Sequence, residues 1–274
     1  MALLHTPASE RPIDRAITLA ATDDVAGALR YAVPVLEKDP GAALAAFVVG
    51  RGLGRSNQSA LAARALTLAA AAAVNAGNLP LAVACGVELR ALGSDPGPIF
   101  DEIASAFARG SSRLGARRAG PPELPGAEPD FQPLADSVDE DALIERARSA
   151  LSNATESSLA EAARAPIAPQ PLFSALDAQS LREFVSIFEV RVLPSAVTLI
   201  EEGTFGDEAF IVARGEVEVE KGASGEGGAA VKLARLGAGA LVGEMALLSR
   251  APRAATVTTL RPSIVLVAKK EALD

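Results

Sequence analysis

The stretch from Gly243 to Val257 contains the residue types that suit a small phosphorylated ligand. A short apolar helix is predicted from Met245 to Leu248, directly after a glycine and the carboxylate of Glu244. The N-terminus of a helix presents free backbone N–H groups and a partial positive charge, which attract an anion. Arg253 follows a proline turn and adds a two-pronged, charge-assisted grip on phosphate oxygens. Because Glu244 would repel phosphate, we expect it to accept a hydrogen bond from a sugar hydroxyl.

In order and spacing, these residues resemble the phosphate-binding cassette of the cyclic nucleotide-binding domain family, whose pattern is roughly F-G-E-x-A-L followed by P-R-A-A-T. Val242 stands where the family often has Phe. The resemblance covers about residues 171–274, because Glu202-Gly203, Gly206-Asp207 and Gly215-Glu-Val-Glu-Val are similar to the family's E-G-x-x-G-D and G-x-V-x-V elements. We expect these glycines to occupy turns where φ is positive.

The resemblance implies a role for each residue of the cassette. The carboxylate matching Glu244 accepts from the ribose 2′-hydroxyl, the arginine matching Arg253 pairs with the cyclic phosphate, and backbone N–H groups near Ala246 and Ala255 complete the cradle. Ala254 stands where cGMP-selective relatives often have Thr, so cAMP is the better candidate, with cGMP as the alternative. The predicted ligand-binding residues are Gly243, Glu244, Met245, Ala246, Arg253, Ala254 and Ala255.

Other apolar residues near the cassette are expected to line the wall of the pocket rather than to contact the ligand specifically. They are Ala240, Leu247 and Val257. The structural alternative for the whole stretch is an ordinary helical turn with a surface glutamate and a surface arginine. Taken one at a time, each residue favours that alternative, whereas their order and spacing favour a binding site.

The composition excludes several other classes of function. The chain has 26 Lys and Arg against 34 Asp and Glu, so it shows no electrostatic signature of nucleic-acid or anionic membrane binding. Cys85 is the only cysteine, which favours a reducing, cytoplasmic compartment and a buried inert thiol. His5 is the only histidine, so histidine-dependent triads and multi-histidine metal sites are excluded. We predict no metal site, no catalytic residue and no membrane span.

Residues 1–110 are predicted to form a domain of helices with short links. A pattern with a spacing of four residues, Ala28, Ala32, Leu36 and Pro40, resembles the second helix of a tetratricopeptide repeat. The pattern predicts a helical hairpin array whose groove binds a protein partner, with plain helix packing as the alternative. The predicted helices are 12–21, 25–38, 42–52, 58–76, 79–92 and 99–109.

Residues 111–170 change character and are predicted to be a Pro/Gly/Ala-rich linker with short helices at 139–151 and 157–164. From residue 171 the period changes again. A flanking helix at 177–187 and several short alternating runs predict an antiparallel β-roll or jelly-roll barrel over 171–274. The predicted strands are 189–193, 197–201, 208–213, 216–221, 230–236, 254–260 and 264–267.

In the family, a hinge helix and a lid helix follow the barrel and cover the base. This sequence has only Lys269 to Asp274 there, so either the chain is a fragment or the cover comes from residues 139–170 or from a partner. Without a cover, we expect the base to stay partly wet and the ligand to bind weakly. The favoured function is a non-enzymatic cyclic-nucleotide sensor whose occupancy biases a helical protein-interaction region. The alternatives are a transcription factor of the catabolite-activator type whose DNA-binding part is missing, and a ligand-free scaffold with a degenerate barrel.

Overall fold

The computed structural model describes residues 11–115, 132–154, 166–170, 172–222, 230–245 and 251–272. Its α-helices are α1 (Pro12–Ala21), α2 (Val25–Lys38), α3 (Ala43–Arg55), α4 (Ser59–Asn75), α5 (Leu79–Ala91), α6 (Gly97–Phe107), α7 (Glu140–Asn153) and α8 (Ala178–Ser186). Its strands are β1 (Glu189–Leu193), β2 (Thr198–Ile200), β3 (Glu208–Arg214), β4 (Val217–Lys221), β5 (Val231–Leu236), β6 (Leu241–Val242), β7 (Thr256–Thr259) and β8 (Ser263–Lys269). A 3₁₀ turn follows at Lys270–Ala272.

The first six helices pack in sequence order, each against the next. Their starts and stops follow local chemistry: the carboxylate of Asp24 accepts from the Gly27 N–H at the start of α2, and Gly77 follows α4 with a φ of 75°. The predicted helical N-terminal region is thereby confirmed, with bounds that agree within a few residues. The tetratricopeptide-like arrangement stays a prediction, and the helix predicted at 157–164 lies outside the described residues.

Helix α7 lies in the region predicted as a linker and packs against α2. The guanidinium of Arg146 donates two hydrogen bonds to the carboxylate of Glu37, at 2.9 and 2.6 Å. Arg30 donates to the carbonyl of Val138 at 2.9 Å, and its own carbonyl accepts from the Leu134 N–H. The described part of the linker therefore contributes one helix to the helical part. None of the described helices is both long enough and apolar enough to cross a membrane.

The strands form two four-stranded antiparallel sheets, with orders β1-β8-β3-β6 and β2-β7-β4-β5. Their inner faces share an apolar core that joins Phe210, Val212 and Val265 of the first sheet to Ile200 and Val257 of the second. The predicted antiparallel β structure is confirmed, whereas the closed roll stays a prediction. Strand β6 was missed because a two-residue strand is too short to show alternation.

The outer face of the first sheet is covered by helices. Helix α5 is apolar on every side from residue 79 to residue 87, as expected for a helix enclosed by other elements. It contacts α4 and α6 and the strands β1, β3 and β8. One continuous core therefore runs from the helical part to Ile211, Ala213 and Leu266 of the sheet. The proposed division into domains at residues 110 and 170 stays a prediction.

Candidate functional site

Gly243 directly follows β6 and lies at the closest approach of three parts of the chain. Its φ is +85°, in the left-handed region that favours glycine. A Cβ atom at this position would lie 2.8 Å from Nη1 of Arg253, 2.9 Å from Cδ1 of Ile200 and 3.1 Å from the Glu208 carbonyl oxygen. Both the backbone conformation and the space therefore require glycine. The residues that follow, Glu244 and Met245, begin a helical turn.

The side chain of Arg253 is held at the base of the site by backbone carbonyls. It is 7% exposed. Its Nη1 donates to the Gly243 carbonyl at 2.8 Å, and its Nη2 donates to the Glu208 carbonyl at 2.6 Å. A guanidinium has five N–H donors, so three remain beyond these two bonds. The arginine is thus fixed in place before any ligand arrives, with donors to spare.

The turn between β2 and β3 holds the backbone of Arg253 as well. The Arg253 N–H donates to the Thr204 carbonyl at 2.8 Å, and the Arg253 carbonyl accepts from the Gly203 N–H at 2.9 Å. Gly206 lies against the guanidinium, since a Cβ there would be 2.7 Å from Nη2. Gly203 and Gly215 have positive φ as predicted, but Gly206 does not. The prediction was wrong for Gly206, where the close approach of Arg253 excludes a side chain.

The charge of Arg253 has no carboxylate partner among the described residues. Glu208, whose carbonyl it contacts, directs its own side chain to the guanidinium of Arg191, with one bond at 2.9 Å. A buried cation without a counter-ion is unfavourable, and two carbonyl dipoles offset only part of that cost. An anion next to Arg253 would therefore be bound more strongly than at an exposed, paired arginine.

A cavity of about 310 Å³ opens in front of this arginine. Within its described lining, Glu244 and Arg253 are the only residues with polar side chains. The Glu244 carboxylate is half-buried and accepts no hydrogen bond from the described residues. The described lining consists of Ile200, Val219, Leu236, Leu241, Val242, Gly243, Glu244, Met245, Ala251, Pro252, Arg253, Ala254, Ala255 and Val257.

The cavity brings together six of the seven predicted ligand-binding residues. The seventh, Ala246, lies outside the described residues, as does Leu247 and the rest of the helix predicted after Met245. Val257 lines the wall as expected, whereas Ala240 packs against the apolar core between the sheets and is not part of the lining. Six of the predicted residues therefore line one cavity, and the role of each residue toward a ligand remains a prediction.

Sequence reasoning missed the residues that complete the wall. Val219 and Leu236 come from paired strands and lie on the inner face of the second sheet. The pattern Gly215-Glu-Val-Glu-Val predicted a strand here, but it did not indicate which residues of the strand reach the cavity. Sequence reasoning also missed the role of the Glu208 carbonyl, because a backbone acceptor carries no signature in the sequence.

The described residues include no group of three or more His, Cys, Asp or Glu side chains placed to hold a metal ion. Cys85 is fully buried in α5, and burial raises the pKa of its thiol far above the ordinary value. A thiol in that state is a poor nucleophile at neutral pH. The described lining of the cavity thus offers one cation, one carboxylate and an apolar wall.

Residues 190–274 match the family described as the cyclic nucleotide-binding domain. The predicted resemblance is confirmed for that part of the chain. Among curated proteins, the chain is 35% identical over 92 residues to a cyclic nucleotide-gated potassium channel of Rhizobium etli. It is 34% identical over 101 residues to the cAMP-dependent protein kinase regulatory subunit of Emericella nidulans. These matches cover 34% and 35% of this chain and 24% of each relative.

Among solved structures, the chain is similar to the regulatory domain of Toxoplasma gondii PKA determined with cAMP, at 30% identity and a TM-score of 0.34. That match covers 36% of this chain and 37% of the other. The catabolite activator protein of Thermus thermophilus matches with 30% identity and a TM-score of 0.35, over 38% of this chain and 47% of the other. The chain spans about a quarter of the length of the curated relatives it matches.

Proposed function

We propose that this protein binds a cyclic nucleotide in the cavity in front of Arg253 and acts as a non-enzymatic sensor. The observation that carries the proposal is the buried guanidinium of Arg253, which two carbonyls hold and no described carboxylate neutralises. A cyclic phosphate supplies the missing negative charge through charge-assisted hydrogen bonds. The family match over residues 190–274 supports this class of ligand.

The remaining groups fit a sugar and a base. Glu244 lines the same cavity, and its carboxylate accepts no hydrogen bond from the described residues, which suits a ribose 2′-hydroxyl better than a phosphate. Backbone N–H groups near Ala246 and Ala255 are proposed to complete the phosphate cradle. The base then lies along the apolar wall near Met245 and Ala254. Because Ala254 offers no hydroxyl to a guanine edge, we propose cAMP as the preferred ligand over cGMP.

The proposed output is mechanical rather than chemical. The helical part packs on the sheet that carries the Glu208 carbonyl, so occupancy of the cavity is proposed to bias the helical part and its binding of a protein partner. A ligand shifts such an equilibrium only by its difference in affinity for the two states. The cytoplasm is the proposed location, as expected for a chain whose single cysteine is a buried thiol.

Thermal unfolding with and without cAMP tests the proposal. At a ligand concentration of one hundred times Kd, a single site stabilises the folded state by about 2.7 kcal/mol, so Tm rises by about 5 °C or more. Arg253→Ala should abolish this shift, and cGMP should give a smaller one.

The matched control is Arg261→Ala, because Arg261 is half-exposed and lies near Glu216, away from the cavity. No shift in the wild-type protein, or an equal shift in Arg253→Ala, contradicts the proposal.

A further inference from the structure

Strand β3 connects the cavity to the helical part. At its first residue, the Glu208 carbonyl accepts from Nη2 of Arg253 at 2.6 Å. At its far end, Arg214 pairs with Asp14 of α1, and the Ala213 carbonyl accepts a hydrogen bond from Asn78 at the start of α5. Six residue steps of an extended strand separate the two ends, a distance of about 20 Å. The strand is paired along its length with β8 and partly with β6, so it is a stiff connection.

Arg214 forms a buried ion pair with Asp14 of α1. The two side chains are only 4% and 7% exposed, respectively. Arg214 also donates to the Pro262 carbonyl at 2.8 Å, and the register of β3 against β8 shifts between Val212 and Arg214. A bulge of this kind re-aims a side chain, here toward the helical part. Breaking one side of a buried pair leaves an uncompensated charge, so α1 cannot move off the sheet without a large penalty.

Asn78 makes a second polar connection to the same end of β3. Its Oδ1 accepts from the Leu81 N–H at 3.0 Å and so caps the start of α5. Its Nδ2 donates to the Ala213 carbonyl at 3.1 Å. One amide group therefore fixes the end of a helix to the strand, using both its acceptor and its donor. Helices α1 and α5 are thus each joined to β3 by a directional contact as well as by apolar packing.

We propose that β3 couples the cavity to helices α1 and α5, with the Asp14–Arg214 pair and Asn78 as the contacts that transmit occupancy. This inference rests on the proposed function. A phosphate bound to the remaining donors of Arg253 pulls the guanidinium toward the cavity, and because Nη2 is bonded to the Glu208 carbonyl, the start of β3 changes position with it. Because the far end is fixed to α1 and α5 by buried, directional contacts, the change reaches those helices rather than being absorbed between them.

Hydrogen exchange of the full chain, with and without saturating cAMP, tests the coupling. We expect amide exchange in α1 and α5 to change by about fivefold or more, in the range of ordinary coupling between sites. Helix α7 is the internal control, since it packs on α2 and α4 and has no contact of similar extent with the sheet. Amides of α7 that exchange through local opening should keep their rates, whereas amides that exchange only through global unfolding should slow equally in all helices, because the ligand stabilises the whole fold.

Coupling is reciprocal, so variants at the far end of β3 should alter cAMP affinity. Asp14→Asn removes the anion of the buried pair, and we expect Kd for cAMP to shift by about fivefold or more. The matched control is Asp101→Asn, because Asp101 pairs with Arg182 where both side chains are at least half-exposed. Asn78→Asp keeps the oxygen acceptor that caps α5 and removes the N–H donor to the Ala213 carbonyl. If Asp14→Asn does not fold, the Kd of Asn78→Asp for cAMP tests the coupling instead.

The outcomes separate this inference from the proposed function. If cAMP binds and its stabilisation depends on Arg253, but exchange in α1 and α5 is unchanged, the coupling is wrong and the proposed function stands. The coupling is also wrong if Asp14→Asn and Asn78→Asp both bind cAMP like the wild type. If the wild-type protein shows no binding of cAMP or cGMP, the proposed function fails and this inference fails with it.

Discussion

At the scale of single residues, the site depends on how the guanidinium of Arg253 is held in place. Its two carbonyl partners, Gly243 and Glu208, belong to segments that are distant in the chain and meet only in the folded protein. Gly206 closes the arrangement from a third side. The side chain of Arg253 therefore loses its conformational freedom on folding, and binding of a ligand costs no further entropy for ordering it.

Gly206→Ala tests this positioning directly. The new Cβ would lie 2.7 Å from Nη2 and 3.2 Å from Nε of Arg253, so the guanidinium must shift. Since φ of Gly206 is outside the left-handed region, alanine fits the backbone, and any loss of stability comes only from weakening the hydrogen bond between Nη2 and the Glu208 carbonyl. Loss of one charge-assisted hydrogen bond to phosphate weakens binding by about 1.5 to 3 kcal/mol, or about tenfold to a hundredfold in Kd.

Isothermal titration with cAMP measures the effect of Gly206→Ala. Gly237→Ala is the matched control, because a Cβ at Gly237 meets only one atom, the Gly215 carbonyl oxygen at 3.9 Å. That variant should bind like the wild type. Wild-type affinity in Gly206→Ala would show that Arg253 does not need this close approach.

The residue types at the site were predictable, but their mutual contacts were not. Gly243, Glu244 and Arg253 follow one another in an order that indicates an anion site, and the structure places them around one cavity. The Glu208 carbonyl and the reason for Gly206 depend on which segments meet, which local sequence does not specify. The glycine rule based on positive φ holds at Gly203 and Gly215 because turn geometry is local.

At the scale of elements, caps and apolar periodicity determine where helices begin and end. The carboxylate of Asp177 accepts from the Ser180 N–H at 2.9 Å and from the Ser180 hydroxyl at 3.1 Å, which starts α8. These hydrogen bonds, together with the nearby charge of Arg109, lower the pKa of Asp177 below its ordinary value. The ionised cap then stabilises α8, which packs against α6.

This cap predicts a specific dependence on pH. A lowered pKa in the folded state means that the stabilisation is fully present above the ordinary pKa of 3.8 and is lost as pH falls through the folded value. Asp177→Asn keeps a neutral cap, so it should be less stable than the wild type at pH 7, and this deficit should be smaller at pH 2. Urea midpoints at the two pH values measure this, with Asp101→Asn as the control. An equal deficit at both values contradicts the assignment.

Element bounds were predictable where the local signal was strong. Pro at the start of α1 and Asp24 before α2 are such signals, and both helices have the predicted bounds. Strand β5 was predicted to within one residue, but its exposure was not predicted: most of it is exposed, because it is an edge strand paired only with β4. Whether a strand lies at the edge depends on the order of strands in the sheet, which the sequence of the strand itself does not specify.

At the scale of the whole molecule, the helical part and the first sheet share one apolar core. The sequence predicted α5 as one helix of a hairpin array, but it did not indicate that a sheet from a distant part of the chain would pack on it. The shared core also contains the buried pair of Asp14 and Arg214. Unfolding either part alone would expose the sheet-facing side of α5 and leave a buried charge without its partner.

We therefore expect the described helices and the first sheet to unfold as one cooperative unit. Calorimetry should give a single transition whose calorimetric and van't Hoff enthalpies agree. The chain has no tryptophan and one tyrosine, Tyr31, which lies in α2 and reports on the helical part alone. Its fluorescence midpoint should coincide with the calorimetric one, and cAMP should raise both equally, because ligand binding stabilises everything that unfolds with the site. The prediction is wrong if cAMP leaves the Tyr31 fluorescence midpoint unchanged and raises the Tm of a second calorimetric transition. The helical part and the first sheet would then unfold independently, despite their shared core.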